Sequence, residues 1–169
     1  RDLKGARETG MARPNFLFIL VDDLGWRDLA CTGSTFYETP NLNRLAAAGM
    51  SFTDAYAACP VCSPTRASIL TGKYPARLSL TNWIGGHETG RLISAPYIDH
   101  LPLTERTIAR ALRDAGYRTS YVGKWHLGEQ PYWPEQHGFD VNIGGCDWGA
   151  PLYGYFSPYH CPTLADGPE

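Results

Sequence analysis

No apolar run in this 169-residue chain approaches the ~18–20 residues that a bilayer-spanning helix requires, and the longest, Phe16 to Val21, is strand-sized. Charge of one sign is not in excess. Fifteen Lys and Arg face 17 Asp and Glu, for a formal net charge of −2, which leaves no electrostatic footprint for nucleic acid or an acidic membrane. Internal repeats and low-complexity stretches are absent. The cysteines number five (Cys31, Cys59, Cys62, Cys146 and Cys161), an odd count that does not describe a disulfide scaffold and leaves at least one thiol unpaired. No basic-plus-apolar leader opens the chain. The compartment stays open: periplasmic or secreted if a signal peptide preceded Arg1, cytoplasmic otherwise.

What is present is ordinary for a globular protein, with 43% hydrophobic and 19% charged residues and enough length for one domain with a real core. Residues 1–12 read as a polar tail outside the fold. Asn15 to Val21 is continuously apolar and partly β-branched, the pattern of a buried parallel strand, and it ends in Asp22-Asp23. Thr39-Pro40 supplies a cap and first turn for a short helix with Leu42, Leu45 and Ala46 inward and Gly49 as its stop. Met50 to Tyr56 alternates like a second strand. Pro64 to Leu70 has helical spacing and stops at Gly72. Thr104 is placed to cap a further helix with Ile108, Ala111, Leu112 and Ala115 inward and Gly116 as terminator, and Arg118 to Val122 follows as a strand. This order predicts an α/β architecture with a mostly parallel sheet. From Pro131 onward Pro, Gly, Tyr and Trp dominate without periodicity, and a tail that long and irregular predicts a domain incomplete at its C-terminus.

Chemistry concentrates in Pro60-Val-Cys-Ser-Pro-Thr-Arg66. The Cys59-x-x-Cys62 spacing admits a thioredoxin-like redox site, a zinc site, or two buried small residues. Zinc needs a second ligand pair, and only Cys146 and His160-Cys161 are available, without a clean repeat spacing. Pro64 suits the first turn of a helix and places Cys62 at its N-terminus, where free N–H groups and the positive dipole end favour an anion such as sulfate. Arg66 lies one turn on, with a planar fork suited to oxyanions.

Cys62-Ser-Pro-Thr-Arg-Ala-Ser-Ile-Leu-Thr-Gly72 resembles the first signature of the sulfatase family, in which the residue at the position of Thr65 is commonly Ser. Gly116-Tyr-Arg-Thr-Ser-Tyr-Val-Gly-Lys-Trp-His126 resembles the second, with Gly-Lys-x-His intact, and His137-Gly-Phe-Asp140 resembles a segment that follows it. The resemblance covers Pro14 to Gly145 and implies an alkaline-phosphatase/sulfatase-like sheet sandwiched by helices, with residues 13–169 as the N-terminal part of the catalytic domain. It further implies that a formylglycine-generating enzyme converts Cys62 to formylglycine. One hydroxyl of the aldehyde hydrate attacks sulfur and the other lets the sulfate leave, so the nucleophile carries its own exit. Lys124 then binds sulfate, His126 polarises the hydrate, and Asp22, Asp23 and the modified Cys62 ligate a divalent cation. Hard oxygen donors favour Ca2+, with Mg2+ possible. The implied activity is hydrolysis of sulfate monoesters, small-molecule or glycan.

The family's Asp/Asn pair and its later His and Lys have no counterpart: Asp147 and Asp166 come too early, and His87 and His100 fall between the signatures. This half-site is expected to turn over little by itself. Two rival readings remain, a formylglycine-dependent hydrolase of phosphate or phosphonate esters and an inactive fragment or pseudoenzyme in which Cys62 stays a thiol. Trp83, Trp133 and Trp148 are candidates for stacking on sugar or aryl rings, against the plainer expectation that each packs the domain.

Overall fold

A computed structural model describes residues 13–86 and 90–164. The polar tail, His87 and Asp166 therefore lie outside the described residues. The chain divides after Phe52 into two compact units.

In the first unit the expected strand does not form. Residues 13–21 form no strand among the described residues, and Phe16, Leu17, Phe18 and Ile19 are between 65% and 87% exposed. A strand is completed only when another chain segment takes its N–H and C=O groups, and apolar content alone supplies no such partner. Asp22 and Asp23 then form a turn, with Asp23 at a left-handed φ of 56°. Helix α1 spans Pro40–Ala48 and begins at the predicted proline. Thr39 precedes it without a capping bond; its hydroxyl instead accepts the Ala30 N–H at 3.0 Å and reaches Asn43 Oδ1 at 3.2 Å. The predicted inward stripe is not buried, with Leu42 and Leu45 exposed and Ala46 half-buried. Met50 to Tyr56 is not a strand either, although its alternation suits a sheet; among the described residues it forms no ladder.

The second unit is built around helix α2, Cys62–Thr71, which ends at Gly72 with φ 67°. Glycine takes that left-handed position without a Cβ penalty, so the helix stops where the sequence places its stop. Ala67 of α2 packs into a core with Leu78, Leu80, Leu101, Trp125 and Leu127, the last two fully buried. Helix α3 spans Ile108–Asp114. Its cap is Thr107 rather than Thr104: the buried Thr107 hydroxyl accepts the Arg110 N–H at 3.2 Å and donates to the His137 carbonyl at 2.5 Å, a pair of bonds the exposed Thr104 does not make. Of the predicted inward stripe only Leu112 is half-buried; Ala109 is buried while Ile108, Ala111 and Ala115 face outward. Gly116 at φ 85° closes it as expected.

Strand β1, Ser120–Val122, pairs in parallel with β2, Val141–Ile143, in the register Ser120 to Val141 through Val122 to Ile143. Thr119 reinforces the entry: its N–H and hydroxyl reach Asp140 Oδ2 at 2.8 and 3.1 Å, and its hydroxyl donates to the Gly138 carbonyl at 2.7 Å. The parallel pairing and flanking helices agree with an α/β fold. Among the described residues no helix is long and apolar enough to cross a membrane.

Candidate active site

Two features meet in the second unit, the N-terminus of α2 and the segment leaving β1. Val61 enters α2 in extended conformation and no side chain caps the helix. Its first-turn N–H groups, with the helix dipole behind them, therefore face the surroundings of Cys62. Thr65 fixes the approach. Its hydroxyl accepts the Cys59 N–H at 3.0 Å and also contacts the Cys59 carbonyl. Serine carries the same hydroxyl, so the departure at Thr65 keeps the group that holds the loop. None of the five cysteines is in a disulfide; Cys146 and Cys161 approach to 3.6 Å between sulfurs.

The β1 exit is a chain of alternating directions. Gly123 turns out of the strand at φ 100° while its N–H still bonds the Ile143 carbonyl at 2.8 Å. Lys124 Nζ then donates to Cys62 Sγ at 3.1 Å. Trp125 points into the core, its Nε1 donating to the Tyr132 carbonyl at 2.8 Å and its ring meeting Tyr121 edge-on at 5.0 Å. His126 takes φ 54°, an unusual conformation for a residue with a Cβ, and its N–H bonds the Cys146 carbonyl at 3.1 Å. Trp125, the unspecified position of Gly-Lys-x-His, is thus the anchor from which Lys124 and His126 diverge.

Arg66 lies one turn into α2 and is 7% exposed. Its Nη1 donates to the Lys124 carbonyl at 2.6 Å and to the Tyr121 hydroxyl at 3.4 Å, and that hydroxyl donates to the same carbonyl at 2.5 Å. The guanidinium therefore locks the helix to the β1 exit, holding the lysine backbone while the lysine ammonium faces Cys62. The Lys124 ammonium and the helix N-terminus beside the half-buried Cys62 are features that attract an oxyanion.

His126 reaches this site through Ile84. The buried imidazole has Nε2 2.9 Å from the Ile84 carbonyl, and the Ile84 N–H bonds the Ser63 hydroxyl at 3.0 Å. A carbonyl only accepts, so Nε2 carries the hydrogen and the tautomer is set. Gly149 lies against the ring; a Cβ there would be 2.6 Å from His126 Cε1. Ile84, Tyr121 and Gly149 were not visible as site residues, because each acts through backbone, packing or the absence of a side chain.

The structure thus brings Lys124 into contact with Cys62 through its ammonium and with Arg66 through its carbonyl, and links His126 to the start of α2 through one residue. Asp22 and Asp23 lie at the turn in the first unit, and among the described residues no group of three or more His, Cys, Asp or Glu forms a metal cluster. Their carboxylates are hard donors of the kind calcium and magnesium take, but two residues make only part of the roughly six to eight oxygen ligands of a calcium site.

His137 and Asp140 have structural roles. Burial, with the Arg110 and His100 charges adding to it, lowers the fully buried His137 to about 4. Thr119 holds the Asp140 carboxyl below the usual range by its hydrogen bonds. His100 pairs with Asp99 at 2.9 Å and stacks on Tyr132 at 3.9 Å, apart from the Cys62 contacts.

A sequence profile of the Sulfatase family matches residues 14–161. The chain is 42% identical over 147 residues to N-acetylgalactosamine-6-sulfatase of Sus scrofa, covering 86% of this chain and 27% of that protein. It is 44% identical over 138 residues to arylsulfatase G of Canis lupus familiaris, covering 81% and 24%. Among solved structures it is similar to Ps i-CgsB, with 34% identity, a TM-score of 0.62, and coverage of 73% of this chain and 26% of that one. A second structure of that protein is a complex with k-i-k-neocarrahexaose. The chain spans about a quarter of the length of the curated relatives it matches.

Proposed function

The chain belongs to the sulfatase family, and we propose that it carries the nucleophile half of a sulfuric ester hydrolase centred on Cys62. The observation that carries this reading is the 3.1 Å contact of Lys124 Nζ with Cys62 Sγ at the uncapped N-terminus of α2, with Arg66 buried behind it. Substrates of this site are sulfate monoesters, aryl or carbohydrate; relatives named for N-acetylgalactosamine-6-sulfate and aryl sulfates support both. The two strands belong, in this reading, to a larger parallel sheet sandwiched by helices.

Each residue has a distinct task. The α2 N–H groups and the Lys124 ammonium attract the sulfate and spread its charge. Arg66 holds the Lys124 backbone, so that the ammonium is positioned before substrate arrives. His126, with its Nε2 hydrogen held by the Ile84 carbonyl, is the group assigned to polarise the formylglycine hydrate. Formylglycine, formed from Cys62 by a generating enzyme, supplies a hydrate with one hydroxyl to attack and one to release product. Asp22 and Asp23 supply hard oxygen donors for calcium or magnesium, whose contribution when bound is Lewis-acid polarisation of a sulfate oxygen.

Peptide mass spectrometry over Cys62 tests the reading. Conversion of the thiol side chain to an aldehyde lowers the residue mass by about 18 Da. The expected result is that mass loss on co-expression with a formylglycine-generating enzyme and, in an enzyme that joins this half-site to its leaving-group half, greater hydrolysis of an aryl sulfate than of the matching aryl phosphate. An unmodified thiol under those conditions, or a preference for phosphate, overturns it.

A further inference from the structure

Trp83 sits in a loop that is immobilised far beyond what a surface turn needs. Ile84, the next residue, is bonded on both sides of its peptide: its N–H to Ser63, beside Cys62, and its carbonyl to His126 Nε2. Ser63 and His126 are 0% and 4% exposed, so both anchors are fixed in the interior. The Tyr97 hydroxyl adds two more ties, reaching the Trp83 carbonyl at 3.1 Å and the Gly86 carbonyl at 2.7 Å. Gly86 then packs against the indole so closely that a Cβ there would lie 2.8 Å from Trp83 Nε1. After all this the indole is still 43% exposed, and its ring lies 6.3 Å from the His126 imidazole.

A large apolar ring is usually left exposed with its backbone free, or held rigid because it is buried. Trp83 is held rigid and left exposed, beside a peptide bonded to Ser63, the chain neighbour of the reactive cysteine, and to His126. We propose that Trp83 is a specificity-determining platform against which the ring of the substrate's leaving group, a pyranose or an aryl ring, stacks while its sulfate occupies the Cys62–Lys124 site. This rests on the sulfate-site reading above and adds to it the chemical class of the alcohol side. A flat apolar face matches the face of a ring and gains nothing from a small acyclic alkyl group. Because the loop is already ordered, stacking costs little additional conformational entropy.

Calorimetric binding to the full chain, with Cys62→Ala to prevent turnover, separates the contributions. The probes are inorganic sulfate and methyl sulfate, which carry no ring, and 4-nitrophenyl sulfate and glucose 6-sulfate, which do. Trp83→Ala is expected to weaken one or both ring esters roughly tenfold and to leave the ringless probes unchanged; the ester that loses more identifies the ring. Trp83→Phe, which retains a flat face, is expected to restore most of the loss and guards against a folding defect in the alanine variant. Equal weakening of all four probes, or of none, assigns Trp83 to packing and overturns the platform, as do ring esters bound no more tightly than methyl sulfate. Failure of the starting protein to bind any of the four overturns the sulfate site itself, a different outcome from sulfate binding that ignores Trp83.

Discussion

The run Phe16 to Val21 is wholly apolar while Gly123 to Leu127 carries Lys124 and His126, yet it is the second that is buried. In the first, every residue from Phe16 to Val21 is at least 41% exposed, and no strand forms there among the described residues. In the second, Trp125, His126 and Leu127 are almost wholly buried, and Gly123, Trp125 and His126 each hydrogen-bond within the unit. Hydrophobic content alone therefore did not decide burial. What separates the segments is whether other residues of the same unit close on them: Arg66 from α2, Tyr121 from β1, Ile84 from the anchored loop and Gly149 from the tail all converge on residues 123–127.

The sharpest way to break the contrast is Trp125→Ala. Removing the largest fully buried side chain is expected to cost about 3–5 kcal/mol, read as a lower denaturant midpoint for the second unit. Acid offers a second route. The His137 pKa is depressed to about 4 from an ordinary 6.5, so the unfolded chain takes up a proton at a higher pH than the folded one. Stability is then fully present above pH 6.5 and falls as pH drops toward 4, by up to about 3 kcal/mol. Thermal melts across that window are expected to show a declining midpoint, and His137→Gln is expected to flatten the decline. The smallest effect belongs to the first unit. Leu17→Thr, at a position 87% exposed, is expected to change stability by no more than about 0.5 kcal/mol; a loss as large as that of a core residue would show that the run is buried in solution and remove the contrast.

Much of the site could be read from the sequence because it depends on local geometry or compact motifs. Pro64 in the first turn of α2, the stop at Gly72 and the terminator Gly116 are backbone preferences expressed where they occur. The approach of Lys124 to Cys62 was carried by the resemblance to two signatures, 62 residues apart in sequence. What failed was non-local. A strand at 15–21 requires a neighbour, and nothing in an apolar run states whether one is present. The start of α3 moved from Thr104 to Thr107 because both threonines can cap, and the choice was made by the His137 carbonyl, 30 residues away. Ile84 escaped notice for the same kind of reason, since its contribution is a peptide unit and any residue has one.

Gly149 extends that lesson in a direction that inventories of functional groups cannot follow. It brings no donor, acceptor or charge to the site, yet the His126 ring rests in the space that its missing Cβ leaves free. Residue 149 therefore behaves as a steric gauge for the imidazole. Any side chain introduced there has to displace either the ring or the tail segment that carries it, and the bond from His126 to Ile84 would be the first to yield. The pose of the His126 ring is in this way written 23 positions downstream, by a residue whose whole contribution is its smallness.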